Sequence, residues 1–173
     1  MKLVCEGRRA RLESREMVLP NGKKAQIDRV VFPNSVSILP LHSDGRITLL
    51  KQYRPAIGEW IIEAPAGTIK EGENPVKAAK RELEEEAGLI AGNMVEIGGA
   101  YLSPGYSTEF MYFYIATSVK EGRQNLEDHE VIDTFETTLD EAIDMTRKGE
   151  IKDAKTIMLL LYADTYLRNM RSQ

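Results

Sequence analysis

The stretch from Gly67 to Leu89 reads GTIKEGENPVKAAKRELEEEAGL, and its two halves differ in pattern. The first half is a glycine-containing loop that ends at Asn74, a favourable helix N-cap, and Pro75 suits the first helical position. Apolar residues then recur at helical spacing, and Gly88 is typical of a helix C-terminus. The pattern predicts a loop followed by a helix from Asn74 to Gly88.

Three glutamates of this helix, Glu82, Glu85 and Glu86, are spaced three and four residues apart and therefore share one face. Like charges at this spacing destabilise an exposed helix by a few tenths of a kcal/mol each. Mg²⁺ binds through a few carboxylates together with water and phosphate oxygens. The cluster therefore predicts a divalent-cation site, with a solvated acidic helix face as the alternative.

The order of residues in this stretch resembles the signature of the Nudix hydrolases. That signature is Gly, five residues, Glu, seven residues, and then Arg-Glu-aliphatic-any-Glu-Glu-any-Gly-aliphatic. At average residue usage, a chance match in a chain of this length has a probability on the order of 10⁻⁷. The resemblance implies an α+β fold, an α/β/α sandwich in which helices flank a mixed β-sheet. The matching residues are Gly67, Glu73, Arg81, Glu82, Leu83, Glu85, Glu86, Gly88 and Leu89.

The resemblance also implies a role for each polar position of the signature. Mg²⁺, or Mn²⁺ in its place, is the implied cofactor. Arg81 is predicted to reach Glu85 one helical turn later and to fix its direction. The implied metal ligands are Glu82 and Glu86, Glu85 as a ligand or a water-positioning residue, and the backbone carbonyl of Ala66. The residues implied to maintain the loop and helix are Gly67, Glu73, Arg81 and Gly88.

The sequence before the signature, QYRP…EWIIEAPAG, resembles the ADP-ribose pyrophosphatases of this family. The resemblance implies that Arg54 binds the diphosphate or the terminal sugar, where it would also serve catalysis, and that Glu63 supports the site. A surface charge at a strand end is the alternative for Arg54. Tyr53 and Trp60 are candidates to stack on adenine, with core packing as the alternative for each.

The turn Ser103-Pro104-Gly105 lies beyond the signature at the place where a proline marks the ADP-ribose subgroup. By this resemblance the three residues are predicted to contact substrate. An ordinary Pro-Gly turn is the alternative.

An acidic stretch, residues 126–130, precedes a predicted strand. In the resembling enzymes a mobile loop at this place brings an extra carboxylate to the metals or to the attacking water. Glu130 is the predicted metal ligand and catalytic residue here, ahead of Asp128 and Glu127. Glu85 or Glu130 is the predicted proton acceptor, and a solvated acidic loop is the alternative. The two histidines, His42 and His129, are predicted to be exposed and not to be ligands.

The remainder of the chain predicts mostly strands, with two helices at the end. Residues 1–33 are predicted to form an N-terminal β region and residues 34–173 the hydrolase domain. Asn21-Gly22 predicts a hairpin turn, and the resemblance implies that this region pairs across a homodimer. The predicted strands are Arg9–Leu19, Lys24–Phe32, Ser35–Leu41, Arg46–Tyr53, Trp60–Glu63, Met94–Leu102, Phe110–Ala116 and Val131–Glu136, and the helices are Leu139–Lys148 and Lys152–Arg168.

Composition excludes several other classes of protein. The net charge of −4 argues against a nucleic-acid partner, which normally requires a basic face. The single cysteine, Cys5, predicts an intracellular, cytoplasmic protein without an internal disulfide. No apolar run approaches the roughly 20 residues that span a bilayer, so no membrane partner is expected.

These observations predict Mg²⁺-dependent hydrolysis of ADP-ribose, and of related ADP-sugars, to AMP and ribose 5-phosphate. One alternative is a Nudix pyrophosphatase for a nucleotide sugar, a dinucleoside polyphosphate or a dinucleotide coenzyme. A non-catalytic nucleotide sensor is disfavoured because every carboxylate of the signature is present. RNA decapping is disfavoured because the chain lacks a basic composition.

Overall fold

The computed structural model describes residues 2–171, which form twelve strands and three helices. The architecture is α+β, as predicted. The elements in chain order are β1 (Lys2–Glu6), β2 (Arg11–Val18), β3 (Lys24–Val31), β4 (Ser35–Pro40), β5 (Arg46–Arg54), β6 (Glu59–Glu63), β7 (Ala66–Thr68), α1 (Pro75–Ala87), β8 (Leu89–Ile90), β9 (Asn93–Tyr101), β10 (Phe110–Thr117), β11 (Lys120–Glu121), β12 (Ile132–Thr138), α2 (Leu139–Arg147) and α3 (Ala154–Arg171).

A mixed four-stranded sheet forms the centre, with the strand order β7-β4-β10-β9. Strands β4 and β10 run parallel, while β4–β7 and β9–β10 are antiparallel. Helix α1 packs against β4 and β7, and α3 packs against β4, β9 and β10. Both faces of the sheet are therefore covered, and this arrangement confirms the predicted α/β/α sandwich.

The sequence of β10 explains why two cores form. Its residues FMYFYIAT are almost continuously buried, as expected for a strand that is covered on both faces. Tyr114 packs with Leu83 of α1 on one face, and Phe113 packs with Leu159 of α3 on the other. The apolar stripe of α1 thereby fixes this helix against the sheet, and its acidic residues lie outside that stripe.

Three smaller sheets complete the fold, and one of them is the two-stranded pair of β8 and β11. Strands β12, β5 and β6 form another, and strands β1, β2 and β3 form the third, near the N-terminus. The third sheet is attached through Val30, whose N–H donates to the Tyr106 carbonyl at 2.7 Å and whose carbonyl accepts from the Thr108 N–H at 3.0 Å. The N-terminal sheet is therefore continuous with the loop between β9 and β10.

Most predicted elements are present, and the differences have local causes. The hairpin turn at Asn21-Gly22 is confirmed, with Gly22 at a φ of 79°. Helix α3 begins at Ala154, two residues later than predicted, because the Asp153 carboxylate accepts from the Thr156 N–H and caps the helix. The short strands β1, β7, β8 and β11 were not predicted, since pairing rather than an internal pattern defines them.

The prediction that His42 is exposed is wrong. Its side chain is only 20% exposed, and its Nε2 lies 2.7 Å from the Thr48 hydroxyl and 3.7 Å from a carboxylate oxygen of Glu136. The turn between β4 and β5 folds His42 back over β5, and the sequence of the turn alone does not show this.

Over the described part of the chain, residues 2–171, no helix combines the length and the apolar character needed to cross a membrane.

Thr156, in the first turn of α3, ties this helix to the end of β6. Its buried hydroxyl oxygen accepts from the Ala64 N–H at 2.8 Å and lies 2.7 Å from the Asp153 carboxylate. The Ala64 amide is buried, so it depends on this oxygen for a partner.

We expect Thr156→Val to lower the free energy of unfolding by about 1–3 kcal/mol, because valine has the same shape but leaves a buried N–H unsatisfied. Urea denaturation measures the change. Thr165→Val on the exposed face of the same helix is the control and should stay within about 0.5 kcal/mol of the parent. Equal losses in the two variants would contradict this role of Thr156.

Candidate functional site

The loop and helix of the signature bring a backbone amide onto a buried carboxylate. The side chain of Asn74 accepts from the Val76 N–H at 2.9 Å, and Gly88 ends the helix in the left-handed conformation with a φ of 64°. Between these caps, Glu86 is only 3% exposed, and its Oε2 accepts from the Ala66 N–H at 2.7 Å. The short strand β7 and the last turn of α1 are therefore in direct contact.

Gly67 leaves space for the second carboxylate. A Cβ atom at this position would overlap the carboxylate group of Glu82, so every residue other than glycine displaces it. The requirement here is close approach rather than an unusual φ. Glu82 itself is 12% exposed and packs against the backbone of the loop.

Arg81 connects the loop to three carboxylates. Its guanidinium makes a bidentate pair with Glu73, with both N–O distances at 2.9 Å, and its Nη1 donates to Glu82 at 2.6 Å and to Glu85 at 2.8 Å. The predicted contact between Arg81 and Glu85 is present. The Arg81 hydrogen bonds lower the pKa of Glu73 to about 2, so Glu73 stays charged and holds the loop at neutral pH.

The electrostatic environment of Glu82 and Glu86 is opposite to that of Glu73, because it raises their pKa values. Burial raises the pKa of Glu86 well above its usual value, and the neighbouring charges of Glu82 and Glu130 raise it further. Burial also raises the pKa of Glu82, against the opposing effect of Arg81. A bound cation stabilises buried carboxylates that repel one another, and a small set of oxygen donors fits Mg²⁺ or Mn²⁺. The residues present therefore fit a divalent metal, whereas the Ala66 carbonyl as a ligand stays a prediction.

A second buried charge cluster lies beside this metal site. Glu63 is fully buried, and the Arg54 guanidinium binds it in bidentate fashion at 2.5 and 2.6 Å. Lys155 donates to the same carboxylate at 3.2 Å. The ion pair with Arg54 places Glu63 behind the site, and its supporting role stays a prediction. Lys155 was not predicted, because it lies on α3, 92 residues away in sequence, with no local pattern to mark it.

Arg54, Lys155 and Gly67 line a cleft of about 210 Å³ next to the metal carboxylates. Two further lining residues, Arg9 and Glu109, were also missed by the sequence analysis. The Ser35 hydroxyl donates to Glu109 at 2.7 Å. The cleft combines cations for phosphate oxygens with a carboxylate acceptor for hydroxyl groups.

The two candidate aromatic residues lie on another surface. Tyr53 pairs with Trp60 across β5 and β6, and their rings make an edge-to-face contact with centroids 5.8 Å apart. Because side chains alternate along a strand, this pair points to the face of β5–β6 opposite Arg54 and Glu63. Trp60 is 45% exposed. Within one chain the aromatic pair and the cleft are therefore not brought together, and adenine stacking stays a prediction.

Comparison with known proteins assigns this arrangement to a family. The model of the NUDIX domain matches residues 31–160. The chain belongs to the Nudix family. Two relatives are each 34% identical over 161 residues, covering 92% of this chain and 87% of their own length: an ADP-ribose pyrophosphatase of Bacillus subtilis (strain 168) and a methanol dehydrogenase activator of Bacillus methanolicus.

Other relatives are named for a different substrate. A GDP-mannose pyrophosphatase of Salmonella typhimurium is 32% identical over 160 residues, covering 84% of this chain and 82% of that protein. The crystal structure of an ADP compounds hydrolase has a TM-score of 0.83 at 20% identity, covering 98% of this chain and 92% of that one. The structural likeness establishes the fold.

Two predicted segments outside the Nudix signature lie near the site. The turn Ser103-Pro104-Gly105 joins β9 to β10 between the cleft residues Leu102 and Glu109, with Pro104 and Gly105 exposed. The Glu130 carboxylate lies close enough to influence Glu82 and Glu86 electrostatically. Contact of the turn with substrate, and metal binding by Glu130, stay predictions.

We expect Glu86→Gln to stabilise the metal-free Nudix chain at pH 7 by on the order of 1 kcal/mol, because the amide accepts from Ala66 without a buried charge. The raised pKa of Glu86 in the folded state means that the parent binds more protons folded than unfolded. The parent therefore loses stability relative to the variant as the pH rises above about 4.3. Denaturation in the presence of a chelator measures this difference.

Added Mg²⁺ or Mn²⁺ should stabilise the parent and fail to stabilise Glu86→Gln, because the variant lacks a ligand. Glu84→Gln, on the exposed side of the same helix, is the matched control and should follow the parent. Equal metal stabilisation in parent and Glu86→Gln would contradict the assignment of Glu86 to the metal site.

Proposed function

We propose that the chain hydrolyses ADP-ribose, and related ADP-sugars, to AMP and ribose 5-phosphate in a Mg²⁺-dependent reaction. The observation that carries this proposal is the placement of Glu86, which is buried, and Glu82, which is 12% exposed, beside a cleft lined by Arg54 and Lys155. A diphosphate suits such a site, because its oxygens can bind both a metal held by the carboxylates and the two cationic side chains. The relative named ADP-ribose pyrophosphatase and the structure titled ADP compounds hydrolase support the adenosine moiety.

The residues proposed to hold metal are Glu82 and Glu86, assisted by Glu85, Glu130 and the Ala66 carbonyl. When bound, Mg²⁺ or Mn²⁺ would neutralise phosphate charge and lower the pKa of a coordinated water.

The other residues would bind and orient the substrate. Two N–H groups of Arg54 are engaged by Glu63, so the guanidinium is fixed in direction while its remaining donors are available to the diphosphate. The predicted substrate contacts of Ser103, Pro104 and Gly105 would lie at the edge of the same cleft. Tyr53 and Trp60 remain the proposed adenine contacts.

Two carboxylates are candidates to accept the proton of the attacking water. Glu85 is 34% exposed and held by Arg81, so it is oriented and accessible to water. Glu130 accepts from the Glu127 N–H at 2.9 Å and belongs to a loop beside the carboxylates of the signature. General-base transfer at either position requires hydrogen-bond distance to the water in the loaded enzyme.

A second candidate substrate is a different nucleoside diphosphate sugar, because one relative is named GDP-mannose pyrophosphatase. The metal site and Arg54 recognise the diphosphate, which the two substrate classes share. Recognition of the base and of the terminal sugar would therefore distinguish ADP-ribose from GDP-mannose, and it depends on residues outside the signature.

We further propose a cytoplasmic homodimer. The lone Cys5 supports the compartment. Exposed apolar side chains on the N-terminal sheet, including Leu3, Val4 and Val18, support pairing with a second chain.

We expect the parent with Mg²⁺ in ¹⁸O water to convert ADP-ribose to AMP and ribose 5-phosphate, with the label in one product. Mass spectrometry of that product identifies the attacked phosphorus. GDP-mannose, a dinucleoside polyphosphate and a dinucleotide coenzyme serve as comparison substrates. A kcat/KM for ADP-ribose far below that for GDP-mannose would overturn the adenosine assignment, and absence of turnover with every compound would overturn the hydrolase assignment.

We expect Glu82→Gln to lower kcat by several powers of ten while the free energy of unfolding changes little, because the variant retains the shape but loses an anionic ligand. Glu84→Gln is again the matched control, with turnover near that of the parent. A Glu82→Gln rate within about twofold of the parent, measured with saturating Mg²⁺, would defeat the metal assignment.

A further inference from the structure

The β1–β2 turn reaches the acidic loop that carries Glu130. This turn, residues 7–10, is closed by the Gly7 N–H donating to the Ala10 carbonyl at 2.8 Å. At its tip, Arg8 Nη2 lies 3.1 Å and Arg9 Nη2 lies 3.5 Å from the same oxygen of Glu127. Residues 119 positions apart in sequence are thereby joined next to Arg9, which lines the cleft.

Glu127 and Glu130 are linked to each other by two hydrogen bonds. The Glu127 N–H donates to the Glu130 carboxylate at 2.9 Å, and the Glu130 N–H donates to the Glu127 carbonyl at 2.9 Å. The Glu130 carboxylate is therefore oriented by the backbone of Glu127. A displacement of Glu127 would move Glu130 as well.

The two arginines attach the middle of this loop, whose flanking residues Asn125 and Val131 are hydrogen-bonded to Glu85 of α1 and Tyr53 of β5. Among residues 2–171, they provide the only hydrogen bond and ion pairs that join residues 126–130 to another part of the chain. The turn that carries them is itself anchored, because β3 of the same sheet is bonded through Val30 to the loop between β9 and β10. An anchored turn thus holds the centre of a loop that is otherwise bonded to the rest of the chain only at its two ends.

We propose that Arg8 and Arg9 are positioning residues, which act through Glu127 to hold Glu130 at a working distance from Glu82 and Glu86. This inference rests on the proposed function, since it assumes that Glu130 acts in hydrolysis. Arg9 also lines the cleft, so it connects the cleft wall to the loop.

The network is suited to positioning rather than to stabilising the fold. The side chains of Arg8 and Glu127 are 71% and 54% exposed, and exposed ion pairs contribute little to stability. The catalytic rate depends much more steeply than stability on the position of a reacting group, so a small displacement of that group lowers the rate. Removing the network should therefore leave a folded protein with a misplaced Glu130.

The test compares Glu127→Gln, the double variant Arg8→Gln/Arg9→Gln, and the triple variant that combines them. Asp144→Asn is the matched control, because it removes an exposed ion pair with Arg147 on α2, outside the site. Steady-state kinetics with ADP-ribose and Mg²⁺ gives kcat and KM. Amide hydrogen exchange of residues 126–130 in the metal-free protein gives a readout that does not depend on activity.

We expect Glu127→Gln to lower kcat about tenfold with KM within about twofold of the parent, the pattern of a supporting residue. Exchange at the Glu127 and Glu130 amides should accelerate about tenfold. The kcat of the triple variant should fall no further than that of the worse of the two others, because all three changes break one link to Glu130, whereas the loss of Arg9 from the cleft wall would act on KM. Arg8→Lys/Arg9→Lys should restore most of kcat by keeping the charge.

Unchanged kcat and unchanged exchange in Glu127→Gln would overturn the proposal. So would kcat losses that multiply in the triple variant, because multiplication indicates independent roles. If the parent fails to hydrolyse ADP-ribose, the proposed function is wrong. Accelerated exchange in Glu127→Gln would then still support the structural link, and unchanged exchange would reject it.

Discussion

Two carboxylates, Glu82 and Glu86, are kept almost entirely out of water, and the surrounding elements are arranged around that constraint. A buried carboxylate is unfavourable unless it is paired or hydrogen-bonded. Glu86 has a backbone N–H from Ala66, whereas Glu82 occupies the space that a side chain at Gly67 would fill. The Ala66 amide carries no formal charge, and Arg81 is shared with carboxylates outside the pair, so the charges of Glu82 and Glu86 are not both neutralised. The remaining imbalance favours a cation, so the same packing that fixes α1 on the sheet would also provide the proposed metal affinity.

The positively charged side of the site depends on a separate cluster of charged residues. Glu63 is buried between Arg54 and Lys155, and the carboxylate holds two cations at the wall of the cleft. This cluster is tied to the fold because Thr156, next to Lys155, bonds the Ala64 amide that follows Glu63. The two halves meet at Ala66 and Gly67, three and four residues after Glu63. A diphosphate that bridged them would place its charge between metal ligands on one side and guanidinium donors on the other.

Local patterns in the sequence predicted the parts of the structure that depend on local physics. The caps at Asn74 and Gly88 and the spacing of the glutamates define α1 without any tertiary information. Lys155 and Arg9 could not be found in this way, because topology alone brings them to the cleft. The position of Tyr53 and Trp60 is different. Alternation along β5 places Tyr53 on the face opposite Arg54, and alternation along β6 places Trp60 opposite Glu63, so the sequence already indicated that the pair points away from these charges.

The aromatic pair links substrate recognition to the oligomeric state. Tyr53 and Trp60 lie on the face of β5–β6 that points away from the cleft of their own chain, and Trp60 is partly exposed. Adenine bound in that cleft would therefore be separated from these rings by the β5–β6 ribbon. Stacking on adenine by this pair requires the cleft of a second chain, whereas a monomer would leave the rings as surface packing. The proposed adenine contact and the proposed homodimer are consequently one hypothesis, and evidence against the dimer would remove the aromatic contribution to base recognition as well.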